Sequence, residues 1–339
     1  MKAKTTVVII MFLLLLQASA AYCGLRIAVY SDSQASISTY QTIVDGVLTY
    51  NPDIVLHAGD IVNSSASDWD IFNEITAPIL ASCYFYPAAG NHDHSVGIEL
   101  FRDNFDLPNN EQWYSVEHEN VHIIILDSDE YLFEDSAQYV WLEDDLQDRG
   151  DQIKFTIVVF HKPIFSSIKT ASSTFRESAI QLFEQYGVDI VFNGHAHSYE
   201  RSFCNGIYYI VTAGAGAGLY SPSITNEYSQ KYIKIHHFCM LYVDNNQILV
   251  DVVDKDLNII DQFSIGAGTL PYGDVSGNGR ITAYDASMVG RHAAELITLD
   301  SAALEIADVN GDGIISAADA ALIARKAAGL IDKFPVEDL

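Results

Sequence analysis

Five short segments of the sequence place Asp, Asn or His side chains where predicted strands end. They are Tyr-Ser-Asp-Ser-Gln (30–34), Gly-Asp-Ile-Val-Asn (59–63), Gly-Asn-His-Asp (90–93), Phe-His-Lys-Pro (160–163) and Gly-His-Ala-His (194–197). Open α/β sheets bind ligands at the carboxyl ends of their strands, so these side chains are expected to meet at one edge. Imidazole, carboxylate and amide groups together suit Zn, Mn or Fe. A carboxylate can bridge two such ions, and a pair about 3.5–4 Å apart can clamp both oxygens of an in-line phosphoryl displacement.

Each of these segments is a weak signal when it stands alone. A single Gly-Asp usually forms a turn, and a single interior His is more often a hydrogen-bonded core residue than a ligand. All five together predict a two-metal site rather than an accident of composition. The glycines at 59, 90 and 194 are expected to let the backbone turn tightly and present the next side chain inward.

The elements that must position these residues are predicted by alternating apolar runs and amphipathic stretches. Strands are predicted at 25–30, 54–57, 121–126, 155–160, 190–192 and 207–212, and helices at 38–50, 136–148 and 174–186. A hairpin of 239–243 and 247–253 and a strand at 259–265 close the region. This order predicts an α/β fold in which two mixed β-sheets are sandwiched between flanking helices.

A sequence repeat follows this region. Residues 273–285 align with residues 307–319, an offset of 34 positions, and each copy precedes an Ala-rich helical pattern. Oxygen-bearing side chains occupy the first, third, fifth and twelfth places of a calcium loop in both copies, with Gly279 and Gly313 at the sixth place. These side chains are Asp274, Ser276, Asn278 and Asp285 in the first copy and Asp308, Asn310, Asp312 and Asp319 in the second. No helical pattern is predicted before either loop.

The five segments together resemble the calcineurin-like metallophosphoesterase superfamily over about residues 25–265. Residues 158–166 and 194–202 are similar to its purple acid phosphatase branch. The resemblance implies two divalent or trivalent transition metals (Fe, Mn or Zn). It implies Asp32 and His197 on the first metal, Asp60 bridging both, and Asn91, His161 and His195 on the second. It also implies that His92 faces the substrate and either stabilises the phosphoryl oxygens or protonates the leaving group.

The chain departs from the family pattern at three places. Gln34 stands where the superfamily often has His, which implies a weaker or absent ligand on the first metal. Asn63 stands where purple enzymes have Tyr, so no phenolate is expected on iron. Thr170 and Ala171 lie near the place of the purple enzymes' substrate histidines, which leaves the acid role to His92 by default.

The C-terminal repeat is similar to dockerin modules, because twelfth-place Asp replaces the usual Glu and because of its loop-helix pattern. The resemblance implies two Ca²⁺ ions, folding that depends on them, and a cohesin-bearing scaffold protein as partner. The first positions of the two helices, Ala283, Tyr284, Ala317 and Ala318, are expected to contact the cohesin.

Composition and the N-terminus bear on location. The 339 residues include 18 Lys and Arg against 45 Asp and Glu, a net charge of −27, which disfavours binding to nucleic-acid backbones and anionic membranes. Lys2 and Lys4 precede an apolar run at 7–16 and small residues at 18–21, the pattern of a secretory signal. That run is shorter than the roughly 20 residues of a membrane span. The four cysteines leave disulfides and buried thiols equally open.

These observations predict a signal peptide (1–21), a metallophosphoesterase domain (22–266), a linker (267–272) and a dockerin domain (273–332). The preferred hypothesis is a secreted, metal-dependent phosphoric ester hydrolase on a cell-surface or cellulosome-like scaffold. A metal-bound hydroxide would attack the phosphorus of a phosphate ester, with phosphomonoesters favoured. No Ser or Cys nucleophile accompanies the segments, so no covalent phosphoenzyme is expected. The alternatives are a phosphodiesterase acting on nucleotides or glycerophosphodiesters, and a non-catalytic adaptor on a phosphoesterase scaffold.

Overall fold

The computed structural model describes residues 24–150, 152–266, 271–276, 281–299 and 301–338. The predicted signal peptide, residues 267–270 of the predicted linker, and Asn278 and Gly279 of the first calcium loop lie outside these ranges. Among the described residues, no helix combines the length and the apolar character that crossing a membrane requires. Cys83, Cys204 and Cys239 form no disulfide within the described ranges.

Two mixed sheets form the body of the described chain. In chain order the strands are β1 (Leu25–Tyr30), β2 (Ile54–His57), β3 (Tyr84–Pro87), β4 (Tyr114–His118), β5 (Val121–Ile125), β6 (Phe155–Phe160), β7 (Ile190–Asn193), β8 (Tyr199–Cys204), β9 (Ile207–Thr212), β10 (Ser229–Ile233), β11 (His237–Val243), β12 (Ile248–Asp254) and β13 (Ile259–Ile265). One sheet has the order β13-β12-β11-β1-β2-β3, and the other has the order β10-β8-β9-β7-β6-β5-β4. In each sheet a parallel group, β1-β2-β3 or β5-β6-β7-β9, joins antiparallel strands at one or both sides.

The described residues form eight α-helices. They are α1 (Ile37–Thr49), α2 (Asp68–Leu80), α3 (Asn91–Asn104), α4 (Ala137–Asp148), α5 (Ser173–Tyr186), α6 (Ala283–Ala293), α7 (Ser301–Ala307) and α8 (Ala317–Ala327). Of these, α1, α2, α4 and α5 pack on the sheets, and α6, α7 and α8 form a separate C-terminal core. Alternation along β6 explains the layers: Ile157 and Val159 join the core between the sheets, whereas Val158 and Phe160 join the core under α4 and α5. The predicted sandwich of two mixed sheets with flanking helices is confirmed.

The structure adds elements that the sequence analysis did not predict. The strands β3, β4, β8 and β10 and the helices α2 and α3 are among them. The strands β3, β4 and β10 lie at sheet edges, where one side is partly exposed and the sequence lacks a continuous apolar run. The expectation that no helix precedes a calcium loop is wrong for the second loop, because α7 ends at Ala307, directly before Asp308. Buried Ala303 and Ala307 hold this short helix in the C-terminal core.

The C-terminal helices α6 and α8 pack on each other around Val289, Ile323 and Phe334. The helix α6 also contacts the sandwich. The guanidinium carbon of Arg149 lies 3.5 Å from the centre of the Tyr284 ring, and Arg149 Nη1 donates a 2.6 Å hydrogen bond to the hydroxyl of Thr156. The Tyr284 ring therefore already has a partner within the chain.

Candidate metal centre

The residues of the five predicted segments meet at the carboxyl ends of the parallel strands. Asp32 lies two residues after β1, Asp60 follows β2, His161 directly follows β6, and His195 and His197 follow β7. Asn91 begins α3, four residues after β3 ends. The sequence expectation that these side chains share one edge agrees with this placement.

Asp60 lies between two groups of candidate metal ligands. One ligand atom each from Asp32, Asp60 and His197 lie within 4.8 Å of one another, and the same holds for Asp60, His161 and His195. His197 Nε2 is 3.1 Å from Asp32 Oδ1, and His161 Nε2 is 3.2 Å from Asp60 Oδ2. A shared carboxylate between two three-residue groups is the arrangement that two adjacent cations require.

Two ligand-type oxygens in this cluster are buried and have no hydrogen-bond partner among the described residues. Within the described part of the chain they are the side-chain oxygens Asn91 Oδ1 and Gln34 Oε1. A buried polar atom that remains unpaired costs free energy, so such atoms at one place indicate a group that the protein chain does not supply. Gln34 Nε2 donates a 3.2 Å hydrogen bond to Asp60 Oδ2, which places the Gln34 amide against the shared carboxylate. The donor set fits a pair of cations.

Backbone carbonyls orient the histidine rings. His161 Nδ1 is 2.9 Å from the carbonyl oxygen of Ala58, and His197 Nδ1 is 2.8 Å from that of Gly218. If each Nδ1 carries the proton and donates it to the carbonyl, each Nε2 presents a lone pair to the cluster. The glycine-rich loop that holds Gly218 is fixed in turn, since Ala217 N donates to the carbonyl of Asp32.

The charges of the cluster are arranged to hold carboxylates in their ionised form. Burial alone would raise the pKa of Asp32 and Asp60, but the neighbouring histidines outweigh it and keep both pKa values below their usual range. Burial opposes protonation of His161, yet the adjacent Asp60 carboxylate outweighs burial and raises the pKa of His161 to about 9. Burial, with the charges of His161 and Lys169, lowers the pKa of His195 to about 3.

The backbone at three of these residues is left-handed. The φ angles are 57° at Asp32, 56° at Asp60 and 67° at His195, a region that non-glycine residues rarely adopt. Of the three glycines expected to form tight turns, only Gly59 has a positive φ, at 86°. Gly90 is required for a different reason, because a Cβ there would lie 2.2 Å from Asp60 N.

Glycine is required at position 194 for the same reason as at position 90. A Cβ at Gly194 would lie 2.6 Å from Asp32 Oδ2, closer than Cβ contacts in real proteins. The two glycines therefore let neighbouring segments approach the carboxylates of the cluster.

His92 lies at the rim of the cluster, in the first turn of α3. Its backbone N–H donates a 2.9 Å hydrogen bond to Asp60 Oδ1, and its Nδ1 contacts the carbonyl oxygen of Asn63. His92 Nε2 is 3.9 Å from Asp60 Oδ2, and 38% of the side chain is exposed. A ring in this position can reach both the cluster and a molecule that approaches from solvent.

Two further side chains border the cluster and were missed in the sequence analysis. The Tyr220 ring stacks on His197, with centroids 4.2 Å apart and planes 13° apart. Lys169 Nζ lies 5.1 Å from the centre of the Tyr220 ring. A signal was present for Lys169, because it directly precedes Thr170 and Ala171, where the family histidines are absent.

The calcium-loop residues that the structure describes also come together within each copy. In the first copy Ser276 N donates to Asp285 Oδ1 at 2.9 Å, and Asp274 and Asp285 are buried. In the second copy Asp308 accepts from the backbone of Gly311 and Gly313, and Asn310 N donates to Asp319 Oδ1 at 3.2 Å. Asp312 belongs to the same loop, and its backbone N–H donates a 2.7 Å hydrogen bond to Asn310 Oδ1.

Comparison with known proteins adds two family matches. Residues 25–199 match the family model for calcineurin-like phosphoesterases, and residues 272–326 match the dockerin type I domain. Acid phosphatase type 7 of Mus musculus is 29% identical over 177 residues, which are 44% of this chain and 40% of that protein. Purple acid phosphatase 15 of Arabidopsis thaliana is 26% identical over 223 residues, which are 54% of this chain and 42% of that protein.

The chain spans about two fifths of the length of these curated relatives. Among solved structures, a purple acid phosphatase from yellow lupin seeds aligns with a TM-score of 0.65 and 21% identity. The alignment covers 71% of this chain and 53% of that one. The likeness to the lupin structure is one of fold.

Proposed function

The chain belongs to the calcineurin-like phosphoesterase family, and from this we propose that it is a secreted phosphatase with a two-metal centre. The observation that carries the proposal is the position of Asp60, which two groups of candidate ligands share. The buried side-chain oxygen of Asn91, which has no hydrogen-bond partner among the described residues, supports it. The favoured substrates are phosphomonoesters, in keeping with the acid phosphatases among the relatives.

The proposed ligands are those that the resemblance implies. Asp32 and His197 would hold the first ion, Asp60 both, and Asn91, His161 and His195 the second. Imidazole and carboxylate groups suit Fe, Mn or Zn. Such ions would lower the pKa of a bound water toward neutrality and neutralise charge on the phosphoryl oxygens.

The chain itself would supply the proton for the leaving group through His92. The contact with the Asn63 carbonyl fixes Nδ1, so Nε2 is the atom that faces the cluster. Partial exposure of this ring lets it exchange protons with solvent between turnovers. The ammonium of Lys162 is less suited to this role, since Asp129 Oδ1 holds it at 2.5 Å.

Metal analysis and an aryl phosphate assay on the same preparation test this proposal. The expected result is two transition-metal ions per chain and turnover of the monoester. We expect Asp60→Asn and His195→Ala to lose both metal and activity, and His92→Ala to keep its metals and lose about 10²–10⁴-fold in turnover.

The control for His92→Ala is His118→Ala, a change of another partly exposed histidine, whose Nε2 bonds the Tyr86 hydroxyl on β3. Unchanged turnover in His92→Ala would refute the acid assignment. Faster turnover of a diester than of a monoester would establish the phosphodiesterase alternative. Bound metals without turnover of either ester would establish the adaptor.

We propose further that residues 273–332 form a dockerin domain that binds two Ca²⁺ ions and attaches the enzyme to a cohesin-bearing scaffold outside the cell. The family match at 272–326 supports this proposal. The proposed calcium ligands are Asp274, Ser276, Asn278, Asp285, Asp308, Asn310, Asp312 and Asp319. A signal peptide at 1–21, a catalytic domain at 22–266 and a linker at 267–272 complete the proposed organisation.

The second copy is the better candidate for the cohesin contact. Ala317 and Ala318 are exposed at the start of α8, whereas Tyr284 in the first copy packs on Arg149. We expect Ala317→Asp with Ala318→Asp to abolish binding to an immobilised recombinant cohesin in the presence of calcium. Ala283→Asp, at an equally exposed position of the first copy, is the matched control. Loss of binding in the control alone would contradict this assignment.

A further inference from the structure

Lys169 carries an ammonium that has no carboxylate partner among the described residues of this acidic chain. Acidic residues outnumber basic ones by 45 to 18. Three other lysines, Lys162, Lys231 and Lys255, each form an ion pair. Among the described residues, Lys169 Nζ has neither a hydrogen bond nor an ion pair. It makes a cation–π contact with the Tyr220 ring.

This ammonium lies beside the candidate metal centre, with the Tyr220 ring linking it to His197. Tyr220, which Lys169 contacts, stacks directly on the candidate ligand His197. The positive charge of Lys169 also acts on His195, whose pKa it helps to lower, and it is attracted by Asp32 and Asp60. The ammonium therefore belongs to the same electrostatic unit as the cluster without binding to any of its carboxylates.

The loop that carries Lys169 is fixed on both sides. Two residues before it, Ser167 donates from its backbone N–H and from its hydroxyl to the two carboxylate oxygens of buried Glu200, at 2.7 and 2.6 Å. Two residues after it, Ala171 N donates to the Pro163 carbonyl at 2.8 Å. A fixed loop positions the ammonium before a ligand binds, so less conformational entropy is lost when the ligand binds.

We propose that Lys169 is a substrate-binding residue that makes the centre select dianionic phosphomonoesters over monoanionic phosphodiesters. Its Nζ would donate a charge-assisted hydrogen bond to a non-bridging oxygen of the phosphoryl group. Because Lys169 has no ion pair among the described residues, its ammonium can form this bond without first breaking an ion pair. This inference rests on the proposed function, since it names the substrate class of the same site.

The test compares Lys169→Gln with Lys234→Gln, which removes the same charge from an exposed lysine whose Nζ contacts the Ser221 hydroxyl. The substrates are p-nitrophenyl phosphate and bis(p-nitrophenyl) phosphate. For Lys169→Gln we expect kcat/KM on the monoester to fall about 10- to 100-fold, the range for a hydrogen bond to a charged group. The diester should change less than about threefold, with metal content unaltered and Lys169→Arg recovering part of the loss.

An equal loss on both esters, or no loss on either, would overturn the assignment. Binding of inorganic phosphate to the metal-loaded protein, measured by calorimetry, separates this failure from failure of the proposed function. If the wild type hydrolyses neither ester, the phosphatase proposal fails. Weaker phosphate binding in Lys169→Gln would then still support Lys169 as the anion-binding group, and unchanged phosphate binding would refute it.

Discussion

Gly90→Ala tests the packing of the candidate metal centre without changing any ligand. A Cβ at Gly90 would lie 2.2 Å from Asp60 N and 2.3 Å from Asp60 Oδ1. Ordinary van der Waals contact begins at 3.4 Å, so one added methyl group must displace Asp60 or the start of α3 by about 1 Å. Both segments carry candidate ligands, because Asn91 follows Gly90 directly.

The expected effect is large for so small a change. Overpacking of this kind costs about 1–3 kcal/mol of folding free energy, so the variant should still fold. A displacement of about 1 Å at a reacting centre lowers the rate by about 10²-fold. Because Asp60 is shared by both ligand groups, we expect fewer than two metal ions per chain as well as this loss of turnover.

The assay is metal content by mass spectrometry, turnover of an aryl phosphate, and thermal unfolding on one preparation. The matched control is Gly218→Ala, where nothing lies within 4 Å of the added Cβ and the carbonyl that accepts from His197 Nδ1 is retained. If Gly90→Ala kept two ions and turned over within twofold of Gly218→Ala, the close approach of Gly90 to Asp60 would not matter for function.

Three further predictions concern colour, calcium and pH. With Asn63 where purple enzymes carry Tyr, the iron-loaded protein should lack a strong tyrosinate absorption band, and a purple preparation would contradict the placement of the motifs. A chelator that removes calcium and spares the tighter metals should melt residues 273–332 first in calorimetry while activity on a soluble substrate survives; unaltered calcium dependence in Asp308→Ala with Asp319→Ala would refute this. Burial lowers the pKa of His237 to about 4. The unfolded chain, with a His pKa near 6.5, therefore takes up this proton first, and stability should fall by about 3 kcal/mol as the pH drops from 6.5 to 4. Urea unfolding should show a flatter pH profile for His237→Phe, and identical profiles would contradict the assignment.

Much of the site could be predicted from the sequence because its residues follow buried parallel strands. Such strands are apolar on both faces, so their ends are visible as abrupt changes to polar residues, as at Asp32 and His161. The topology then brings these ends to one edge, whatever the details of packing. The candidate ligands can therefore be predicted from the sequence.

Features that depend on contacts between distant segments were not accessible in this way. The need for Gly90 comes from Asp60, 30 residues earlier, and Gly194 similarly lies against Asp32. Lys169 was passed over because its relation to Tyr220 and the cluster depends on a loop whose path is set by Glu200. Edge strands such as β10 were missed because a partly exposed strand has no distinctive apolar pattern.

The left-handed backbone at Asp32, Asp60 and His195 means that presenting these candidate ligands lowers the stability of the metal-free chain. A left-handed residue with a Cβ costs about 1–2 kcal/mol, less for Asp than for most residues, and glycine would remove that cost together with the ligand. Folding stability alone would thus favour glycine at these three positions. The three residues therefore lower folding stability while they supply candidate ligands, and metal ions that bind only the folded chain would offset that loss.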